Sequence, residues 1–416
     1  MRLPRGRVEG DLRVPGSKSL TNRALVAAAL APGRSEIVAP LDSDDTRALA
    51  AALRALGAKV ELRPDRWVVT GPLAPGGAGE VLLDVGPAGT PARFLLALLA
   101  AVPGRYVLDG SPRMWERPMR PLVAALRSRG ARIEELGRAG CLPLRVEGCT
   151  LTPGGVAIRA DVSSQFVSAL LLVAPLVPGS LDVREEGRAV SGAYVDLTRD
   201  VLRAFAPDGV YRPARYVVPG DDSAACFPIA GAAVSGGHVR LAGLGPLSRQ
   251  PDAVFRRWAT EAGAELSWEG SGEDALLVVR GAAVRPVDVD VDAAPDAALP
   301  LAALVAFSGG TSRLSGVARL REKESDRLAA ALDLLHGAGA AASVEGSRQA
   351  PVLSIDGPAG RRRRAAFRAC DDHRVAMSAA VLALGLPEGC SVDAPEVVSK
   401  SWPGFWDAWV PLVVPA

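Results

Sequence analysis

Lysine is nearly missing from this chain of 416 residues: it stands only at positions 18, 59, 323 and 400, although Lys and Arg together number 48. A coding bias against lysine fits that composition. The lysines that survive point to places where a compact, titratable ammonium does what a guanidinium fork does not. Lys59 reads as an ordinary surface residue after a helix, whereas the other three stand in polar, charged clusters. Aromatics are scarce at 5%, which weakens any base-stacking role. The formal net charge of +2 gives no general electrostatic case for nucleic-acid or membrane partners. No apolar run approaches the roughly 18 residues of a membrane span, and the opening M-R-L-P-R-G-R-V-E-G-D has no signal-like apolar stretch. The five cysteines (Cys141, Cys149, Cys226, Cys370 and Cys390) are scattered and odd in number. They suggest buried thiols in a reducing cytoplasm rather than a disulfide frame or zinc site. His238, His336 and His373 form no H-x-x-x-H pair. What is present, 49% hydrophobic and 23% charged residues, describes a soluble globular protein long enough for two domains.

The stretch around which the chain is organised is P-G-S-K-S-L-T-N-R, Pro15 to Arg23. Pro15 and Gly16 break a strand-like run, and the apolar helix A-L-V-A-A-A-L-A follows. Lys18 and Arg23 thus lie at a helix start, where the first amides are unpaired and the dipole end is positive. Two cations there suit phosphate or carboxylate. Taken alone, the stretch also reads as a capped helix with solvated charges. The glycine spacing excludes a Walker A loop.

The same phrase recurs along the chain. Polar or small clusters at Ser17–Arg23, Ala88–Arg93, Ser163–Phe166, Asp221–Ala225, Pro295–Ala298 and Asp371–Arg374 each open an apolar helix. Near-constant spacing marks a repeat architecture, and helices apolar nearly all round belong in the core. Amphipathic helices that end at glycine alternate with them, over 46–58, 118–131, 195–205, 251–264 and 325–340, with a shortened sixth over 405–410. Short β-branched runs such as 66–70 and 275–280 lie between. The unit reads β-α-β-α-β-β, in six copies that divide three and three, with a boundary at Pro219–Gly220. Arg361–Arg364 reads as a solvated loop.

If the six buried helices run parallel, their openings face one cleft rich in amides and cations, suited to small phosphorylated, carboxylated molecules. Three clusters add to it: S-P-R-M-W-E-R-P (111–118), R-E-K-E-S-D-R (321–327) and V-S-K-S-W-P-G-F-W (398–406). The second also reads as a capping box with Ser325 as N-cap and charges on a solvated face. That reading leaves the rare lysine at 323 unexplained.

P-G-S-K-S-x-x-N-R, S-D-D-T, A-G-T-x-x-R, P-R-M-x-x-R-P, S-S-Q-F, P-D-A-A, K-E-S-D-R and D-H-R-x-A-M occur in one order. As an ordered set, from about residue 7 to 410, they resemble the 3-phosphoshikimate 1-carboxyvinyltransferase (EPSP synthase) family of enolpyruvyltransferases. The resemblance implies a two-domain inside-out α/β barrel of six βαβαββ repeats. Residues 1–15 would join 220–416, with 16–219 inserted and the active site in the interdomain cleft. It implies transfer of the enolpyruvyl group of phosphoenolpyruvate to the 5-hydroxyl of shikimate 3-phosphate, by a cytoplasmic monomer with no cofactor or metal.

Carried over motif by motif, Lys18, Ser19, Arg23, Ser163, Ser164, Gln165, Ser191, Tyr194, Asp296 and Lys323 would meet shikimate 3-phosphate. Lys18, Gly89, Arg117, Gln165, Arg327, Arg374 and Lys400 would meet phosphoenolpyruvate. Asp296, aided by Lys323, would take the hydroxyl proton. Glu324 would be the acid near the methylene carbon, and Lys18 would belong to the catalytic set. Pro87 departs from the pattern, which commonly has Asn before A-G-T, and this bears on the response to glyphosate, the family's inhibitor. Trp115, Arg319 and G-D-D-S-A-A-C depart as well. The sister family acting on UDP-N-acetylglucosamine expects a reactive cysteine in the loop that here reads S-P-R-M-W-E-R-P. A catalytically silent phosphometabolite-binding protein of the same fold is the rival from another class, and the presence of Asp296, Lys323 and Glu324 argues against it.

Overall fold

A computed structural model describes residues 1–74, 79–159, 163–187, 192–357 and 365–415. Ser191 and the basic run Arg361–Arg364 lie outside the described residues. The chain divides into two compact units, Gly16–Val218 and Met1–Pro15 with Pro219–Ala416.

In the Gly16–Val218 unit the helices Lys18–Leu30, Gly89–Ala101 and Ser164–Val173 pack on one another and are buried on nearly every face. Their residues are small or apolar all round, so no face prefers water. The helices Asp44–Ala55, Arg120–Arg127 and Gly192–Phe205 bury one stripe only. Among the described residues, three sheets surround the core. Gly33–Val38 lies parallel to Arg215–Val217 and antiparallel to Arg66–Gly71, which pairs with Lys59–Leu62. Glu80–Asp84 and Gly104–Asp109 are parallel, and Leu144–Gly148 and Arg132–Glu135 continue the sheet antiparallel. Gly154–Arg159 and Leu181–Glu186 form a parallel pair. A parallel pair needs a crossover, and in the second and third sheets a buried helix supplies it.

The other unit repeats the plan. Asp222–Ser235, Ala298–Val305 and His373–Gly385 form its helical core. Its first sheet joins Gly6–Arg13 to His238–Ala242 in parallel, with Leu276–Arg280 and Glu265–Glu269 following and Val413–Pro415 on the far edge. Asp288–Asp290, Thr311–Ser315, Pro351–Asp356 and Ala341–Gly346 make the second sheet. Ala365–Phe367, Cys390–Val392 and Arg2–Leu3 make the third.

All six sheets stay separate, and none closes into a barrel among the described residues. Among the described residues, two repeats keep all four strands of a β-α-β-α-β-β unit in one sheet, those from Glu80 to Gly148 and from Asp288 to Asp356. Elsewhere strands are exchanged. The last strand of each unit, Arg215–Val217 or Val413–Pro415, joins that unit's first sheet instead of closing a hairpin of its own. Each exchange pairs an edge that would otherwise lie open.

Two expectations need correction. Asp326, not Ser325, caps the Arg327–Ala338 helix, accepting from the amides of Leu328 and Ala329. Asp326 stands one residue nearer the helix, and its carboxylate accepts while the Ser325 hydroxyl turns to another carboxylate. The thiols are not uniformly buried: Cys149 is half-buried and Cys370 exposed. Cys370 lies in a bend where it and Asp371 both have φ of 53°, a conformation that turns the chain outward before the next helix. No helix of the described residues is long and apolar enough to cross a membrane.

Candidate active site

Within the Gly16–Val218 unit, polar residues gather at the starts of the three buried helices. Ser17 and Ala88 are the N-caps of the Lys18–Leu30 and Gly89–Ala101 helices, and neither side chain makes a capping hydrogen bond. The Ser163 hydroxyl, in contrast, accepts from the Gln165 amide. Gln165 ties two starts together. Its Nε2 donates to Thr90 Oγ1 at 2.9 Å and its Oε1 accepts from Arg93 Nη1 at 2.5 Å. The Arg93 guanidinium stands over the Phe166 ring, which fixes the direction of that bond. Gly89 lies against Arg117: any Cβ at position 89 would collide with the guanidinium. Ser164 is buried, Ser19 and Tyr194 are half-buried.

Arg23 is 1% exposed, and its hydrogen bonds run to Thr198 Oγ1, Ser168 Oγ and the carbonyl oxygens of Ser19 and Tyr194. All four acceptors are uncharged. Burial pushes the guanidinium down to about 10. A cation desolvated among neutral dipoles favours an anion placed beside it. Lys18 Nζ lies 3.1 Å from Asp45 Oδ2.

In the other unit one carboxylate is the focus. Asp296 Oδ1 lies 3.1 Å from Lys323 Nζ and 2.8 Å from Arg327 Nη1, and its Oδ2 lies 3.5 Å from Arg374 Nη2. Burial alone would raise its pKa, but Lys323, Arg374 and Arg327 together outweigh burial and hold the carboxyl well below the usual range. Its side chain keeps 24% of its surface open, so it can meet a ligand. Lys323 responds oppositely: burial lowers its ammonium, against the pull of Asp296.

Arg327, 1% exposed, spends its fork on three carboxylates. Nη1 reaches Asp296, Nη2 reaches Glu324 Oε2 at 2.7 Å, and Nε reaches Asp372 Oδ2 at 2.7 Å. Desolvation works against its charge, but Asp372, Glu324 and Asp296 raise its pKa overall. Asp372 also accepts from Ser325 Oγ and, through Oδ1, from the Arg374 amide, and so caps the His373–Gly385 helix. Arg374 Nη1 donates to the Asp296 carbonyl at 3.1 Å, joining the starts of two buried helices. Lys400 is buried at the end of the 3-10 turn Pro395–Lys400, which packs on the His373–Gly385 helix.

Asp296, Lys323, Glu324, Arg327 and Arg374 are thus one connected cluster. In the Gly16–Val218 unit, the expected ligands Arg23, Gly89, Arg117, Ser163 and Gln165 sit at helix starts or against them. The whole chain covers the same ground in relatives. Residues 3–409 match the family model for EPSP synthase (3-phosphoshikimate 1-carboxyvinyltransferase). A 3-phosphoshikimate 1-carboxyvinyltransferase from Shewanella halifaxensis is 36% identical over 422 residues, covering 97% of each chain. The chain belongs to the EPSP synthase family. Among solved structures, EPSP synthase from Acinetobacter baumannii matches with a TM-score of 0.80 at 25% identity, covering 100% of this chain and 98% of the other. The enolpyruvyl transferase NikO from Streptomyces tendae shares the fold, with a TM-score of 0.77 at 18% identity and coverage of 99% and 96%.

Several residues of the two clusters carry little signal in the sequence. Asp372 stands in the Asp371–Arg374 cluster and Asp45 in S-D-D-T, and neither pattern marks a role for it. In the sequence Arg93 reads only as a member of a helix opening. The signal was there in part: an acid in the first turn of a helix whose neighbour carries an otherwise rare lysine. Ser168 and Thr198, which hold Arg23 from two other helices, left no local trace.

Proposed function

We propose that the chain transfers the enolpyruvyl group of phosphoenolpyruvate to the 5-hydroxyl of shikimate 3-phosphate by addition and elimination, in the shikimate pathway. The observation that carries this reading is the Asp296–Lys323–Arg327–Glu324 cluster. It places a deprotonated acceptor and a second carboxylic group on one guanidinium, 2.8 Å and 2.7 Å from its two terminal nitrogens. Asp296 takes the hydroxyl proton, and Lys323 steadies the charge that develops. Glu324 delivers a proton to the methylene carbon, so that the adjacent carbon becomes electrophilic and bonds the 5-oxygen. The tetrahedral adduct then returns a methyl proton to the Glu324 carboxylate, the C–H bonding pair forms the new C=C bond, the C–O bond to phosphate breaks, and phosphate departs with its bonding pair.

Asp296 as held is a weak base, because three cations lower its proton affinity. Substrate carboxylate and phosphate groups compete for the same cations. As they draw off Lys323, Arg327 and Arg374, the carboxylate's affinity for a proton rises, which is the direction a general base needs. Lys18, Arg117, Arg327, Arg374 and Lys400 grip phosphoenolpyruvate, with Gly89 leaving room for Arg117. Arg23, with Ser19, Ser163, Ser164, Ser191 and Tyr194, holds the phosphorylated acceptor, and Gln165 touches both. We also infer a cytoplasmic monomer, in which Cys141, Cys149, Cys226, Cys370 and Cys390 are free thiols suited to a reducing compartment.

Phosphate release tests the reading. Shikimate 3-phosphate with phosphoenolpyruvate should release phosphate, and either alone should not. Release with UDP-N-acetylglucosamine in place of the shikimate would assign the sister reaction, and no release with either acceptor would leave a binding protein.

A further inference from the structure

The S-D-D-T segment, Ser43–Thr46, has no part in the chemistry described so far, yet the fold invests several contacts in placing it. The chain bends at Ala39, whose φ is 51°, and runs past the start of the Lys18–Leu30 helix. Contact there is close enough that a Cβ on Gly16 would strike the Ala39 carbonyl oxygen. Two threonines then hold the Leu41 peptide from both ends. Leu41 N–H donates to Thr21 Oγ1 at 3.0 Å, and Thr21 itself donates to the Ser17 carbonyl at 2.8 Å. Thr46 Oγ1 donates to the Leu41 carbonyl at 2.8 Å and accepts from Ser43 N–H at 2.9 Å. The second helix, Asp44–Ala55, starts inside this clamp. In its first turn Asp44 is exposed and Asp45 is buried. Asp45 Oδ2 lies 3.1 Å from Lys18 Nζ, with only 5% of the Asp45 side chain exposed.

A buried ion pair is a poor source of net stability, because desolvation offsets most of the Coulomb gain. Its value lies in direction. A lysine stem has four rotatable bonds and a large rotamer entropy, so an untethered ammonium at a helix start samples many places. An ammonium carries three donors in a fixed tripod, and fixing one aims the other two.

We propose that Asp45 is the positioning residue for Lys18, holding its ammonium where the two acidic substrates meet. The inference rests on the functional reading above. Asp45 touches no substrate; it acts through Lys18. Arginine at 18 would spread its charge over a fork and present a different donor set to the same carboxylate, which accounts for a lysine here in a chain that otherwise uses arginine.

The test is a double-mutant cycle on phosphate release from shikimate 3-phosphate and phosphoenolpyruvate. It compares wild type, Asp45→Asn, Lys18→Met and the double variant, with exposed Asp44→Asn as control and thermal melting of each. Slow variants are followed at high enzyme concentration. Asp45→Asn should lower kcat about 100-fold, the cost of misplacing a reacting group, while Asp44→Asn stays near wild type. In the Lys18→Met background the same change should matter by less than about twofold, the margin within which independent effects add. An equal fractional loss in both backgrounds, or no loss in the wild-type background, overturns the inference while leaving the reaction assignment intact. Absence of phosphate release by the wild type overturns both. Should Asp45→Asn fail to fold, Asp45→Glu keeps the charge and displaces the ammonium. Lowered kcat at an unchanged melting point is then expected, and wild-type kcat contradicts the proposal.

Discussion

Asp372 shows how much one unreactive side chain carries. It is fully buried and is met by the Arg327 fork, the Ser325 hydroxyl and the Arg374 amide. Asp372→Asn keeps the shape and removes the charge that faces a guanidinium only 1% exposed. Breaking one side of a buried pair leaves its partner unmatched, so denaturant unfolding should show a loss of about 3–5 kcal/mol. A change within measurement error would mean that Glu324 and Asp296 suffice for Arg327. Asp296 gives a pH prediction with a definite sign. Its carboxyl is held below the ordinary range in the folded protein. The unfolded chain therefore binds the proton first as pH falls, at about pH 4. The stability it contributes is present above that pH and is lost as pH drops through the lower folded value. The unfolding free energies of wild type and Asp296→Asn should converge on acidification below about pH 4, and a gap that widens would contradict the ion-pair account.

Helix openings are legible in the sequence for a physical reason: a small polar cluster before an all-apolar run has few other uses than to start a buried helix. The runs after Lys18, Gly89, Ser164, Asp222 and His373 all follow that rule. Cap identity is less legible, because adjacent Ser325 and Asp326 both suit a helix start, and only the backbone path decides between them. The same limit hid the pairing of Asp45 with Lys18 and of Asp372 with Arg327. Which of two neighbouring acids turns inward depends on helix phase and on bends such as Cys370–Asp371, not on spacing. Gly89 is a case where an element's start is shaped for its neighbour. Gly89→Ala places a methyl group against the flexible end of Arg117, so the guanidinium moves and the helix stays. We expect a raised KM for phosphoenolpyruvate with a melting temperature close to wild type. A large drop in melting temperature with unchanged KM would assign the glycine to packing instead.

At the scale of the whole chain, the repeat was readable from spacing, but the strand exchanges were not. Arg215–Val217 is three residues long, and nothing in R-Y-V names Gly33–Val38 as its partner; closing the unit does. That pairing has a consequence. Gly16 packs against Ala39, and Val218 N–H donates to the Val38 carbonyl at 2.9 Å, so both ends of the Gly16–Val218 unit meet at one place. With its own core and adjoining ends, residues 16–218 expressed alone should unfold cooperatively. A broad, non-cooperative transition would show that the unit needs the rest of the chain. In the proposed reaction a proton is added to the methylene carbon of phosphoenolpyruvate and later removed, with Glu324 as donor. Turnover in heavy water measures this directly by the deuterium content of the product's vinyl group. Deuterium should enter that group in the wild type, and turnover should be at least about 100-fold slower in Glu324→Gln; a product made at full rate without deuterium at that carbon would contradict the role of Glu324.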